Sequence, residues 1–188
     1  MAFFRIWKKA IKMSTRERKT FIVFTLMYTV LILLTSLYMD MVITEITAGN
    51  LTFASIVPLL VVIIAAIFLT SLYAWIIVRR NRRIWATLKC IGWTKGNVTQ
   101  LILGYLFITS FMGLFFMVEF LFHWMAIVGY VQAAFMPTTD VVGLPLISLG
   151  AVLYTILIFL AVQFFGYMAA RGRITKVRPM LALKRVGE

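Results

Sequence analysis

Two side chains that can exchange protons stand four residues apart in a long apolar stretch of this sequence. Glu119 is the one acidic residue in the interior of a predicted membrane span, and His123 follows it one helical turn later. A carboxyl group at membrane depth is costly and is a functional candidate by default. The pair is predicted either to form a proton- or cation-linked site or to hydrogen-bond locally and face a partner helix. One Glu and one His are too few ligands for a metal site, which takes about three or four.

The sequence otherwise lacks the residue patterns of an enzyme. It contains no Gly-rich phosphate-binding loop, and no nucleophile stands with a base and an orienting group. The single cysteine, Cys90, follows a basic run and is expected to be a small apolar packing residue outside any disulfide framework. We therefore predict that the chain is not an enzyme and binds no cofactor or metal of its own.

A short amphipathic segment follows the second apolar stretch. Residues 79–97 read RRNRRIWATLKCIGWTKGN. On a helix, its apolar residues share one face: Ile84, Trp85, Leu88 and Ile91. Gly92 suits a left-handed cap at the end of this helix, and Thr94 or Asn97 is expected to cap the start of the next one. An apolar face with basic rims fits either a lipid surface or the groove of a soluble partner.

Membrane-spanning helices are predicted to position these residues. The chain is 63% hydrophobic, against about 45–50% in soluble domains, and its mean hydropathy is +1.00. The net charge of +13 comes from basic residues confined to positions 5–19, 79–95 and 171–185. Basic clusters that alternate with apolar stretches follow the positive-inside rule, which argues against nucleic-acid binding. They predict a multi-pass protein of the cell membrane with both termini in the cytoplasm.

The predicted fold is all-α, as a single polytopic domain over residues 1–188. At its N-terminus, apolar and basic residues fall on opposite sides of a helix, which predicts an amphipathic elbow helix on the inner leaflet. Gly104, Gly113 and Gly166 are expected to allow close approach between helices. The predicted segments are the elbow helix 1–19, the spans 20–40, 53–79, 97–124 and 143–170, a short cytoplasmic helix 80–93, and the tail 171–188.

Two motifs resemble the signature of FtsX-like permeases of ABC transporters, the MacB and LolCDE type, also called type VII. The first is LKCIGWTK at residues 88–95, after the Arg run that ends the second span. The second is the ending, with AAR at 169–171, VRP at 177–179 and LALKR at 181–185. Both motifs stand in the family's order at the expected span boundaries, and the resemblance covers about residues 53–188.

The sequence departs from the family pattern at two places. Ile84 stands where the family commonly has Glu, so an ion pair to the ATPase is replaced by a more apolar contact. The loop at about residues 40–52 stands where the family usually inserts a folded extracytoplasmic domain. The role of that domain outside the membrane must therefore be taken by another chain or by the spans themselves.

The resemblance implies that residues 80–93 form a coupling helix seated on an ABC ATPase, with ATP and Mg²⁺ bound by that partner. The expected contact residues are Arg82, Arg83, Trp85, Leu88, Lys89, Ile91 and Gly92. The tail around Pro179 and Leu183 is a second candidate contact. Further expected partners are a second permease subunit, identical or related, membrane lipids, and an extracytoplasmic protein in place of the missing outer domain.

A second class of function fits the same pattern of spans. The chain is then a small four-span assembly factor or channel subunit without a nucleotide motor, and its cytoplasmic helix lies on lipid. Co-purification with an ABC ATPase distinguishes the first hypothesis from this one.

Overall fold

The regular structure of the chain is helical throughout the part described. A computed structural model describes residues 2–50, 52–135 and 147–174, and no strand occurs in these ranges. The helices are α1 Ala2–Arg16, α2 Arg18–Thr47, α3 Phe53–Arg80, α4 Arg82–Cys90, α5 Lys95–Phe135 and α6 Leu149–Ile174. The prediction of an all-α protein is confirmed for these residues.

Four of the helices, α2, α3, α5 and α6, are long and apolar enough to cross a membrane. Large apolar side chains point away from the protein along them; Phe68 is 69% exposed and Phe122 is 63% exposed. Exposure of so much continuous apolar surface to water is unfavourable, whereas lipid solvates it. Each helix also satisfies its own backbone hydrogen bonds, as a membrane requires. The described residues therefore support a membrane-embedded protein with four spanning helices.

The order of the helices brings two of the basic clusters, at 5–19 and 79–95, to one end of the bundle. The start of α2 lies beside the end of α3, where Arg80 contacts Glu17 and Thr20. Helix α4 connects that end of α3 to the start of α5. At the opposite end, the Asp40 carboxylate accepts a hydrogen bond of 2.9 Å from the Ser148 backbone N–H, just before α6. We call these the basic end and the far end of the bundle.

Small residues let the long helices approach closely. A Cβ atom added to Gly113 of α5 would lie 2.8 Å from Tyr28 Cβ of α2, and one added to Gly166 of α6 would lie 2.2 Å from Thr70 Cγ2 of α3. Both distances are too short for a real carbon, so the prediction of close approach at these glycines is confirmed. Beside this contact, the Tyr28 hydroxyl donates a buried hydrogen bond of 2.9 Å to Thr70 Oγ1 and joins α2 to α3.

Helix α1 packs against α5. Ile6, Ala10 and Ser14 follow one another by one turn, and all are buried. The absent side chain of Gly104 in α5 makes room for Ala10, because a Cβ there would lie 2.8 Å from Ala10 Cβ. The sequence predicts that the apolar side of this helix rests on lipid; in the structure much of that side lies against a protein neighbour instead.

Some helix boundaries differ from the predicted segments. α2 extends to Thr47, past the predicted end at 40, and α5 extends to Phe135, past the predicted end at 124. At 1.5 Å per residue α5 is about 60 Å long, twice the ~30 Å of a hydrocarbon layer, so it projects beyond the membrane. α6 begins at Leu149, after the predicted start at 143, and residues 143–146 lie outside the described residues.

Candidate functional site: the short helix at the basic end

The short helix α4 is set off from α3 by a single residue. Asn81 breaks the helix with φ −98° and ψ 23°, yet its N–H still bonds to the carbonyl of Ile77 at 3.1 Å. Its own carbonyl accepts a bond from the Trp85 N–H at 3.1 Å. Two backbone hydrogen bonds thus span the joint, which gives α4 a short connection to the second span.

A glycine turn ends α4. Gly92 has φ +94°, a conformation that L-residues with side chains rarely adopt. The Trp93 N–H bonds to the Leu88 carbonyl at 3.0 Å, and the Gly92 N–H bonds to the Lys89 carbonyl at 3.2 Å. These two bonds form a Schellman motif, so the predicted left-handed cap is confirmed.

The next helix, α5, has a side-chain cap at its start. The Thr94 hydroxyl accepts a hydrogen bond of 3.3 Å from the Asn97 N–H, as expected for an N-cap residue and the third residue of its helix. Of the two residues predicted for this role, the structure selects Thr94. Four residues, 91–94, therefore carry the chain from α4 into the third span.

The predicted contact residues of α4 point in different directions. Trp85 is fully buried, with 0% of its surface exposed, and it belongs to the apolar core together with Ile77 and Val98. Its ring therefore attaches α4 to the bundle and is closed to a partner in this structure. The sequence places Ile84, Trp85, Leu88 and Ile91 on one face, but packing divides them.

The outward side of α4 and its terminal turn is apolar with basic neighbours. Ile84 is 41% exposed and Ile91 is 71% exposed. Arg82 and Gly92 are exposed as well, and Leu88 is half-buried. The Arg83 side chain lies outside the described part of the chain.

Two lysines, one in α4 and one in α1, interact with neighbouring residues of the protein. Lys89 is partly buried, and this burial, reinforced by the nearby positive charge of Lys95, lowers the pKa of Lys89 below its ordinary value. Lys9 of α1 places its ammonium 4.7 Å from the centre of the Trp93 ring, a cation–π contact. The turn after α4 is thus supported by α1 as well as by α5.

The candidate pair Glu119 and His123 lies farther along α5 and faces outward. His123 Nδ1 is 2.8 Å from the backbone carbonyl oxygen of Glu119 and 3.9 Å from its carboxylate Oε1. The side chains are 71% exposed for His123 and 56% exposed for Glu119. The structure brings the two together locally, and among the described residues no other polar group completes a site around them, so both predicted roles stay open.

The remaining predicted contacts are not placed. Pro179 and Leu183 lie outside the described residues. Among the residues that are described, no three His, Cys, Asp or Glu side chains are grouped so that they could hold a metal ion.

Comparisons with known proteins return nothing for this chain. No family model, no curated protein and no solved structure matches it. The resemblance to FtsX-like permeases therefore rests on the two sequence motifs.

Proposed function

We propose that this chain is the permease subunit of an ABC transporter complex, and that α4 is the helix on which a partner ATPase rests. The ATP and Mg²⁺ belong to that partner, and ATP-driven movement of the partner is passed through α4 to the spans. The observation that carries the proposal is the outward apolar side of α4, formed by Ile84 and Ile91 beside Arg82. Apolar side chains with a basic rim suit docking into a groove of a soluble protein.

The way α4 is held supports a mechanical role. The buried ring of Trp85 and the one-residue joint at Asn81 attach α4 to the end of α3. The Gly92 turn and the Thr94 cap attach it to the start of α5. A force on α4 would therefore reach two spans at once, because the helix has no long flexible connection on either side.

The rest of the proposed assembly follows from the resemblance to the permease family. A second permease subunit, identical or related, would provide the other half of the membrane domain, and α1 would act as the elbow helix that braces it. Between α2 and α3 only residues 48–52 remain outside the helices. An extracytoplasmic target would therefore be bound by another protein or by the ends of the spans.

The test is co-purification of an ABC ATPase with the tagged full chain in mild detergent. We expect Ile91→Asp to reduce the amount of bound ATPase about tenfold, because a charge in the centre of an apolar contact costs at least about 1.4 kcal/mol. Ile46→Asp is the matched control, since Ile46 is 58% exposed but lies at the far end of the bundle. Trp85→Ala is unsuitable here, because Trp85 is buried and its loss would disturb α4 itself.

Two outcomes contradict the proposal. If Ile91→Asp and Ile46→Asp retain the ATPase equally, α4 is not the docking helix. If the chain purifies as a homo-oligomer that conducts ions and carries no ATPase, the alternative of a channel subunit without a motor is the correct one.

A further inference from the structure

A cleft at the basic end remains unassigned by the proposed function. It has a volume of ≈ 560 Å³ and lies between the end of α1, the joint of α3 and α4, and α5. Met13, Ile84 and Tyr105 provide its less polar walls. The basic residues around it indicate only the orientation in the membrane when the sequence is considered alone, so the sequence pattern does not predict this cleft.

The charged lining of the cleft favours an anion. Arg16 and Arg80 contribute two positive charges and Glu17 contributes one negative charge, which leaves a net charge of +1. Arg80 Nη1 lies 3.8 Å from Glu17 Oε2 and also donates a hydrogen bond to the Thr20 hydroxyl. Arg80 is therefore held in place at the rim, while more than half of its side-chain surface, 55%, stays accessible.

One residue of the cleft lining, Asn81, carries a buried donor without a partner in the described structure. Asn81 is 6% exposed, and its Nδ2 makes no hydrogen bond in the described structure. Native proteins rarely leave a buried amide unsatisfied, so this donor is available to a ligand that reaches it. Asn81 and Glu17 also precede α4 and α2, and neither side chain caps its helix. The first N–H groups of two helices thus add to the positive potential beside the cleft.

We propose that this cleft binds the phosphate group of an anionic phospholipid. Two guanidinium groups and one amide are donors suited to phosphate oxygens. The polar lining residues at 16–17 and 80–81 stand within about two helical turns of the apolar parts of α2 and α3, which is the depth of lipid headgroups. Met13 and Ile84 offer apolar contact to the glycerol and upper acyl region. The lipid site requires no ATPase partner, although it shares Ile84 with the outward apolar side of α4.

A soluble phosphate could satisfy the same donors, so the experiment has two arms. In the first, the full chain is purified in a mild detergent with an equal mixture of phosphatidylglycerol and phosphatidylcholine. Native mass spectrometry then compares the two lipids that remain bound. In the second arm, inorganic phosphate is titrated into the lipid-loaded protein, and loss of bound phosphatidylglycerol is measured.

Variants identify the cleft as the binding place. We expect the wild type to retain phosphatidylglycerol in preference to phosphatidylcholine. Arg16→Gln and Arg80→Gln should each reduce that preference about tenfold, since each removes a charge-assisted hydrogen bond. Arg79→Gln is the matched control, because Arg79 is also exposed at the end of α3 but lies over the Trp75 ring, 5.2 Å from its centre.

Two further substitutions test the sign of the charge and the amide donor. Glu17→Gln removes the negative charge of the cleft and is expected to increase the preference for phosphatidylglycerol. Asn81→Asp keeps the shape of the side chain but replaces the donor by a negative group, so it should abolish the preference.

The results that overturn the proposal are separate from these. Equal loss in Arg79→Gln and Arg80→Gln would mean that phosphatidylglycerol follows the general positive charge of the surface. Absence of any preference in the wild type would mean that the cleft does not select an anionic phospholipid. Displacement of the bound lipid by inorganic phosphate would identify a soluble phosphate as the ligand in place of the lipid.

Discussion

At the scale of single residues, the contact between Gly166 and Thr70 has the least space to spare. The missing side chain of Gly166 allows α6 to reach Thr70, and Thr70 in turn accepts a hydrogen bond from the hydroxyl of Tyr28. Three spans thus meet around one threonine. Because apolar attraction between helices is weak in lipid, close packing of this kind carries much of their association.

The prediction at this contact is that Gly166→Ala destabilises the bundle by about 1–3 kcal/mol, the usual cost of overpacking. Thr70→Ser in the same chain should recover most of the loss, since it removes the Cγ2 methyl and keeps the hydroxyl. Unfolding in detergent micelles, followed by circular dichroism, measures both. Gly150→Ala is the control, because a Cβ at Gly150 meets no atom within 4 Å. Equal stability of Gly166→Ala and the wild type would mean that α3 and α6 are farther apart than described.

Trp85 and Ile91 are two residues of the same segment that have different roles in the structure. Both are apolar and both belong to the segment predicted to dock, but one is fully buried and the other is 71% exposed. Burial decides the assignment: Trp85 anchors α4, and Ile91 is free to contact lipid or a partner.

We expect Trp85→Ala to lower the free energy of unfolding by about 3–5 kcal/mol, the range for removing a buried aromatic ring. Ile91→Ala should change it by less than about 0.5 kcal/mol, as is usual for surface positions. Denaturant unfolding of the purified chain measures both values. Comparable effects of the two substitutions would contradict the assignment of Trp85 as the anchor.

At the scale of elements, the orientation of α4 depends on how it ends. The left-handed conformation of Gly92 turns the chain from α4 toward α5, and two backbone hydrogen bonds close that turn. A residue with a Cβ is strained there, whereas Gly96, two residues before Val98 in α5, has an ordinary helical conformation.

Gly92→Ala is therefore predicted to destabilise the turn by about 1–2 kcal/mol. Amide hydrogen exchange should become faster over residues 88–93, since the bonds at Leu88 and Lys89 are weakened. Gly96→Ala, placed in a helix with nothing closer than 3.8 Å, should leave exchange in this segment unchanged. If both variants exchange alike, the turn does not depend on the glycine.

The local chemistry of the helix ends could be predicted from the sequence. Gly92 after an amphipathic run and Thr94 before an apolar run are stop and start signals that act within a few residues. The spans were predictable for a similar reason, because apolar length alone distinguishes them. These features can be predicted without knowing how the helices pack against one another.

The direction in which an apolar side chain faces was not predictable in the same way. Periodicity groups Trp85 with Ile91, but only packing against α3 and α5 determines which of them is buried. The apolar side of α1 likewise fits lipid as well as protein until Gly104 provides a place for Ala10. The length of α5 also exceeds the prediction, since a helix ends at a breaking signal and not at the border of the hydrocarbon layer.

At the scale of the whole molecule, the two ends of the bundle differ in chemistry. At the far end, the Glu45 carboxylate accepts bonds from the Thr52 backbone N–H at 2.9 Å and from the Ser55 hydroxyl at 2.7 Å, which ties α2 to α3. Asp40 holds the start of α6 there. The basic end carries α4, the cleft and two of the three basic clusters. This asymmetry predicts that the basic end lies in the cytoplasm.

The native Cys90 makes that orientation testable, since it is the one cysteine of the chain, is exposed and lies at the basic end. A maleimide that cannot cross membranes should leave it unlabelled in intact cells and label it fully once the membrane is permeabilised. The variant Cys90→Ser with Asn50→Cys moves the thiol to the exposed link at the far end, and it should be labelled in intact cells. Labelling of Cys90 in intact cells, with no labelling of the Asn50→Cys variant, would reverse the orientation. It would also place α4 on the side of the membrane where no ATPase could reach it.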